Sequence, residues 1–337
     1  MKIQQVLLSP RVGGAESLAS ALSAAWSSDG IENEICYIDQ DNKRPRSRWA
    51  RIRRVRQATR TFAPDVIVAH TALPNIYARI GSSKHLPKVI VLHSSAYDYD
   101  HKSLRLAERI LQSRTQHVIG VGHKQIEEYN RRFGARVPTS IIPNGVRSDL
   151  PRRRSVENDQ LRVITLARIA AVKNPKLWQD VAERLNSMSE VDLAWWGPVA
   201  DENMERMVRD HQLSSRPGRF AGSTDDPGTV LSEASILFHP SDRESHGLSI
   251  IEAACVGLPV VCSDVVASVL PEELNVETFS VGNAEEAVEA LQRVIGDYET
   301  YSGAAMRQAQ KVREMFGIEK CAQTYITACE AAIASMA

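Results

Sequence analysis

Short runs rich in β-branched residues alternate along this chain with longer amphipathic stretches, and no other feature limits its fold so much. The first series is Ile3 to Leu8, Val66 to Ala69, Val89 to Leu92, Val118 to Gly120 and Ser140 to Ile142, each separated by a helix-like segment. That rhythm predicts a parallel sheet with helices on both faces. It breaks at Arg147 to Gln160, where Pro151, Arg152, Arg153 and Arg154 stand among polar residues with almost nothing to bury, and an interdomain linker is expected there. A second series follows at Val163 to Ala167, Val191 to Trp196, Ile236 to His239 and Pro259 to Cys262. After Val281 the pattern is helical, with Ala287, Leu291 and Ile295 and later Tyr325, Ala328 and Ile333 at helical spacing. A length of 337 residues exceeds one ordinary domain, so the reading is two doubly wound Rossmann-like lobes.

Charge and cysteine usage exclude several classes. Formal net charge is +0, which argues against a generic polyanion binder, and no nucleic-acid partner is expected. Met1 to Leu8 runs straight into a strand without a basic flank, and no apolar run reaches membrane-spanning length, so a cytoplasmic chain is expected. Cys36, Cys255, Cys262, Cys321 and Cys329 form no C-x-x-C pair and read as buried thiols.

Chemistry concentrates in the second series. Strand Ile236 to His239 leads into a polar loop, Ser241 to His246, and then Gly247 opens a helix, with Glu244 and Glu252 separated by seven residues. Beyond the carboxyl ends of strands in a doubly wound sheet, helix N-termini turn free N–H groups toward anions. A diphosphate there would meet the amides of Gly247 and Leu248, with Glu244 accepting from sugar hydroxyls and Glu252 from a ribose diol. Two solvated glutamates at a helix start are the plain alternative. Upstream, Arg168 ends strand Val163 to Ala167 and Lys173 follows it, two cations able to reach the same diphosphate.

Four motifs stand in order: Gly13-Gly-Ala-Glu16, Pro143-Asn-Gly-Val146, Leu166-Ala-Arg-Ile-Ala-Ala-Val-Lys173, and Glu244-Ser-His-Gly-Leu-Ser-Ile-Ile-Glu252 with its continuation to Val261. With them the chain resembles glycosyltransferase family 4, the large retaining family of GT-B fold, over nearly its whole length. The resemblance implies two lobes facing a central cleft: residues 1–150 binding the acceptor, 151–315 binding a nucleotide sugar, and 316–337 a helix returning to the first lobe. It assigns Arg168 and Lys173 to the donor diphosphate, Glu252 to the ribose and Glu244 to the transferred hexose. Gly247 and Leu248 supply amides, and Gly13 and Gly14 approach phosphate from the first lobe. It places His93 near the reacting carbon; His70, at the end of the previous strand, is the next candidate for lining the acceptor side, together with Asn144 of the Pro143 to Val146 turn. The donor is expected to be of UDP or GDP type and the acceptor a glycan or a lipid-linked glycan precursor, with no metal or other cofactor.

Two departures bear on the donor. Ala167 replaces the usual glycine before the phosphate arginine, and Trp195-Trp-Gly-Pro198 replaces a Gly-x-Gly turn. Two Asp-x-Asp strings, at Asp39 and Asp98, are read as chance, because cations already meet the phosphate charge. Rival readings are an epimerase or phosphorylase of the same fold, and a silent binding subunit. A nicotinamide dehydrogenase is disfavoured, since no Gly-x-Gly-x-x-Gly follows the first strand.

One further segment stands out. Lys43 to Arg60 carries nine basic residues in eighteen positions with no acid. Its Arg51, Arg53, Arg54 and Arg56 are expected to meet an anionic acceptor or the inner face of a membrane; a solvated helix whose charges answer acids elsewhere is the alternative.

Overall fold

A computed structural model of the protein describes residues 1–10, 13–39, 47–94, 99–134, 137–154, 160–186 and 191–336. The chain forms two compact units, Met1–Arg147 together with Phe316–Ala337, and Ser148–Met315.

The first unit holds β1 (Lys2–Leu7), β2 (Glu32–Tyr37), β3 (Val66–His70), β4 (Lys88–Leu92), β5 (His117–Gly120) and β6 (Thr139–Ile141). They pair in the order β2-β1-β3-β4-β5-β6, every pair parallel. The second holds β7 (Leu161–Leu166), β8 (Val191–Trp196), β9 (Arg219–Gly222), β10 (Ile236–His239), β11 (Val260–Ser263) and β12 (Glu277–Phe279), again all parallel, in the order β12-β11-β10-β7-β8-β9. The central strands β3, β4, β5, β10 and β11 are buried along their whole length, as helices on both faces require. These are the two doubly wound lobes that the alternation predicts.

Three strands escaped the sequence reading: β2, β9 and β12. All lie at sheet edges, where one side meets solvent and a continuous apolar run is not needed.

The strand orders fix where a ligand can be met. Connections reverse direction between β1 and β3 in the first sheet and between β7 and β10 in the second, and crevices open beyond the strand ends at such switch points.

The last helix, Ile318–Ala334, packs on the first sheet, with Tyr325 and Cys329 buried beside Trp26, Val68 and Val91. Trp26 Nε1 donates to Ala322 O at 3.2 Å, tying the two ends of the chain together. The start of the expected linker is held by hydrogen bonds. Arg313 donates to Leu150 O (3.0 Å), Pro151 O (3.2 Å) and Cys255 O (2.7 Å), while residues 155–159 lie outside the described ones.

Candidate functional site

In the second unit, β7 and β10 are hydrogen-bonded neighbours, so the loops leaving their carboxyl ends meet. Asp242 N donates to Val172 O (2.9 Å), and Asn174 Nδ2 donates to Asp242 Oδ1 (2.8 Å). Asn174 sits in the left-handed region (φ 53°) and its Oδ1 accepts from Leu177 N, capping the helix Pro175–Asn186. Lys173 is thereby held over the second loop, where its Nζ pairs with Glu244 Oε1. The same oxygen accepts from His239 Nε2 at 2.7 Å.

The electrostatics follow from burial and those two donors. Burial alone would raise the Glu244 carboxyl; the His239 hydrogen bond and the Lys173 charge outweigh it and hold the group at about 2. Burial lowers His239 below the usual histidine value, against the pull of Glu244, so the ring is neutral at pH 7. Burial likewise takes His246 down to about 4.

Gly247 caps the helix Leu248–Val256 at φ 66°, a left-handed conformation that favours glycine, and a Cβ there would lie 2.9 Å from Leu270 Cδ2. The amides of Leu248 and its successor begin this helix, at the end that favours anions. Glu252 lies half-buried in the same helix, and Arg168 is exposed just past β7. The structure therefore brings Lys173, Glu244, Gly247, Leu248 and Glu252 to one end of the sheet, with Arg168 at the neighbouring strand end. The substituted Trp195-Trp-Gly-Pro198 turn stands at the end of β8. A Cβ on Gly197 (φ 148°) would fall 2.0 Å from Ala167 O, and that same carbonyl accepts from Trp195 Nε1 at 2.7 Å.

In the first unit, His70 ends β3 at the switch point, and its Nδ1 lies 2.9 Å from His93 Nε2. Its Nε2 lies 3.1 Å from Gln5 Oε1, while Gln5 Nε2 donates to Ala19 O at 2.9 Å. Thr71, next along, is held at φ 68° and ψ 166°, a region that a β-branched residue enters only under strain. Gly13 is extended and caps the helix Gly14–Ser28, which carries Glu16 in its first turn; Arg11 and Val12 lie outside the described residues. Asn144 is buried, in a turn that seats the last helix: Val146 N donates to Phe316 O (2.7 Å) and Ile318 N to Val146 O (3.0 Å).

The basic segment is corrected in one respect. Lys43, Arg44 and Arg46 lie outside the described residues, and the rest forms the helix Arg48–Phe62. Arg51 does not face outward: it forms a bidentate pair with buried Asp39 (Nε–Oδ1 3.0 Å, Nη2–Oδ2 2.9 Å) and lies over the Tyr77 ring. Arg54 is half-buried, whereas Arg53, Arg56 and Trp49 are exposed, Trp49 at 78%. Among the described residues no helix is long and apolar enough to cross a membrane. Asp41 and Asp98 of the Asp-x-Asp strings lie outside the described residues, and Asp100 pairs with Arg132 at 3.1 Å.

Four residues of these networks were not singled out from the sequence: His239, Asn174, Asp242 and Gln5. Gln5 and His239 did leave a trace there, each being a polar residue inside an apolar strand run next to a switch point.

Comparison with known proteins adds the following. The family model described as Glycosyltransferase Family 4 matches residues 12–150, and that described as Glycosyl transferases group 1 matches residues 160–297. Sulfoquinovosyl transferase SQD2 of Arabidopsis thaliana is 25% identical over 181 residues, 52% of this chain and 32% of that protein. The poly(glycerol-phosphate) alpha-glucosyltransferase of Bacillus subtilis is 23% identical over 206 residues, 58% of this chain and 30% of that protein. The matched stretch thus spans about a third of the length of either relative. Among solved structures, Anabaena HepE in complex with UDP and glucose is similar with a TM-score of 0.79 and 17% identity, covering 98% of this chain and 100% of that one. The two-lobed fold is of the GT-B type.

Proposed function

The chain belongs to the family 4, group 1 glycosyltransferases, and from that premise we propose that it is a retaining hexosyltransferase. Its donor is a nucleoside diphosphate sugar of UDP or GDP type, and its acceptor a glycan or lipid-linked glycan precursor at the inner face of the membrane. The observation that carries this reading is the joining of the β7 and β10 loops, which gathers a cation, a held carboxylate and a helix N-terminus at one switch point. Lys173, Arg168 and the amides at Gly247 and Leu248 meet the diphosphate; Glu252 accepts from the ribose and Glu244 from the hexose. HepE, bound to UDP and glucose, and the Bacillus alpha-glucosyltransferase are consistent with a hexose donor.

In the reaction the bond between the anomeric carbon and the diphosphate oxygen breaks, and the acceptor oxygen bonds that carbon on the same face. The acceptor proton passes to the departing phosphate. The protein's part is orientation and stabilisation of the leaving charge by fixed donors. Cationic side chains fill the role a divalent ion would otherwise have, so transfer needs no metal.

The test is a thermal-shift panel of UDP, GDP, ADP and TDP followed by transfer assays in excess EDTA. A diphosphate at a hundred times its dissociation constant stabilises by about 2.7 kcal/mol. Binding with neither hydrolysis nor transfer would leave a nucleotide-binding subunit instead, and activity restored only by manganese or magnesium would overturn the metal-free scheme.

A further inference from the structure

His239 closes β10 beside the β7–β10 boundary and is 1% exposed. Its Nε2 lies 2.7 Å from Glu244 Oε1. An ionised carboxylate only accepts, so the neutral ring carries its proton on Nε2. Its Nδ1 is buried without a partner among the described residues. Lys173 donates to the same Oε1, which leaves Oε2 as the oxygen with no bond from a described residue.

The two donors differ in kind. Lys173 is a point charge on a flexible stem with three donors, free to share itself with an arriving phosphate. His239 is a planar ring enclosed by the sheet and stays where it is. We infer that His239 is the positioning residue of donor-sugar recognition: it holds Glu244 through Oε1 so that Oε2 is presented to a sugar hydroxyl while Lys173 turns to the diphosphate. The inference rests on the glycosyl-transfer reading, in which Glu244 accepts from the hexose. A carboxylate fixed before binding loses no side-chain freedom when the sugar arrives. A core histidine with no such role would leave sugar and nucleotide binding affected alike.

The experiment compares dissociation constants of UDP and UDP-glucose, or of GDP and GDP-mannose where the thermal panel selects guanine. Wild type, Glu244→Gln, His239→Leu, His239→Gln and His239→Asn are measured. His239→Leu is expected to weaken the sugar nucleotide about tenfold while the bare diphosphate stays within about threefold. His239→Gln, whose amide N–H reaches the place of Nε2, recovers most of the loss; His239→Asn, one methylene shorter, does not. Should His239→Leu fail to fold, the Gln and Asn pair carries the same comparison. Equal weakening of both ligands, or of neither, overturns the positioning role. If Glu244→Gln itself leaves the ratio of the two constants unchanged, the sugar-binding reading of Glu244 falls. If Glu244→Gln alters the ratio and neither His239→Leu nor His239→Asn does, only the positioning role falls.

Discussion

His70 and His93, the end of one strand and the residue after the next, face each other at 2.9 Å between Nδ1 and Nε2, with His70 anchored from behind by Gln5. Gln5 donates its own amide to Ala19 O, so its Oε1 must accept from His70 Nε2–H; His70 Nδ1 then accepts, and His93 donates through Nε2. Nitrogen-15 spectra of histidine-labelled protein should show His93 as the Nε2–H tautomer at neutral pH. His70→Gln, which keeps one acceptor and one donor, should preserve that form, and His70→Leu should mix the two. A wild-type His93 protonated on Nδ1 would refute the chain of bonds.

Burial, with the nearby His93 adding to it, keeps His70 well below the usual histidine value of 6.5. The unfolded chain therefore binds a proton that the folded one resists, and stability should fall as pH drops below about 6.5. In His70→Gln this part of the acid sensitivity should vanish, read as a flatter Tm-against-pH curve between pH 7 and 5.

Glu244 gives the opposite member of the pair. Its carboxyl is depressed from 4.5 to about 2, so its contribution is present above pH 4.5 and lost as pH falls toward 2. The Tm difference between wild type and Glu244→Gln should be constant above pH 5 and close in that lower window. A gap that persists at pH 2 would mean the carboxylate is not the group held by Lys173 and His239.

Glu252→Ala should weaken donor use tenfold to a hundredfold, about 1.5–3 kcal/mol, and leave the unfolding midpoint unchanged, because Glu252 is half-buried on a helix surface. Lys173→Ala should lower donor use by a similar factor and also lower Tm, since it leaves the enclosed Glu244 carboxylate short of a donor. Unaltered nucleotide binding and turnover in both variants would remove the donor site from this end of the sheet.

Vesicle cosedimentation should rise with anionic lipid, fall with salt, and fall again when exposed Arg53 and Arg56 become glutamine. Arg51→Gln should act differently, lowering stability by unpairing buried Asp39. Equal recovery on neutral and anionic vesicles would favour a soluble acceptor and leave the helix as a solvated face.

The amino-acid sequence by itself determined the central strands and the spacing of the site motifs. A strand buried on both faces must be largely apolar, as Val89 to Leu92 and Ile236 to Phe238 are, and that demand is written in neighbouring residues. Glu244 and Glu252 stand close in sequence, one in a loop and one in the helix that follows it, so their spacing too was local. Only the tertiary structure decided the edge strands β2, β9 and β12, whose single buried face leaves no continuous apolar run. It also decided the pairings that make the site: Lys173 with Glu244, 71 residues apart, and His70 with Gln5, 65 apart. Such partners meet because strand order sets β10 against β7 and β3 against β1, and strand order is settled by how whole helices and sheets pack. Arg51 makes the point in reverse. Its neighbours in sequence read as a uniform basic face, and the packing of its helix against the sheet turned that one side chain inward to Asp39.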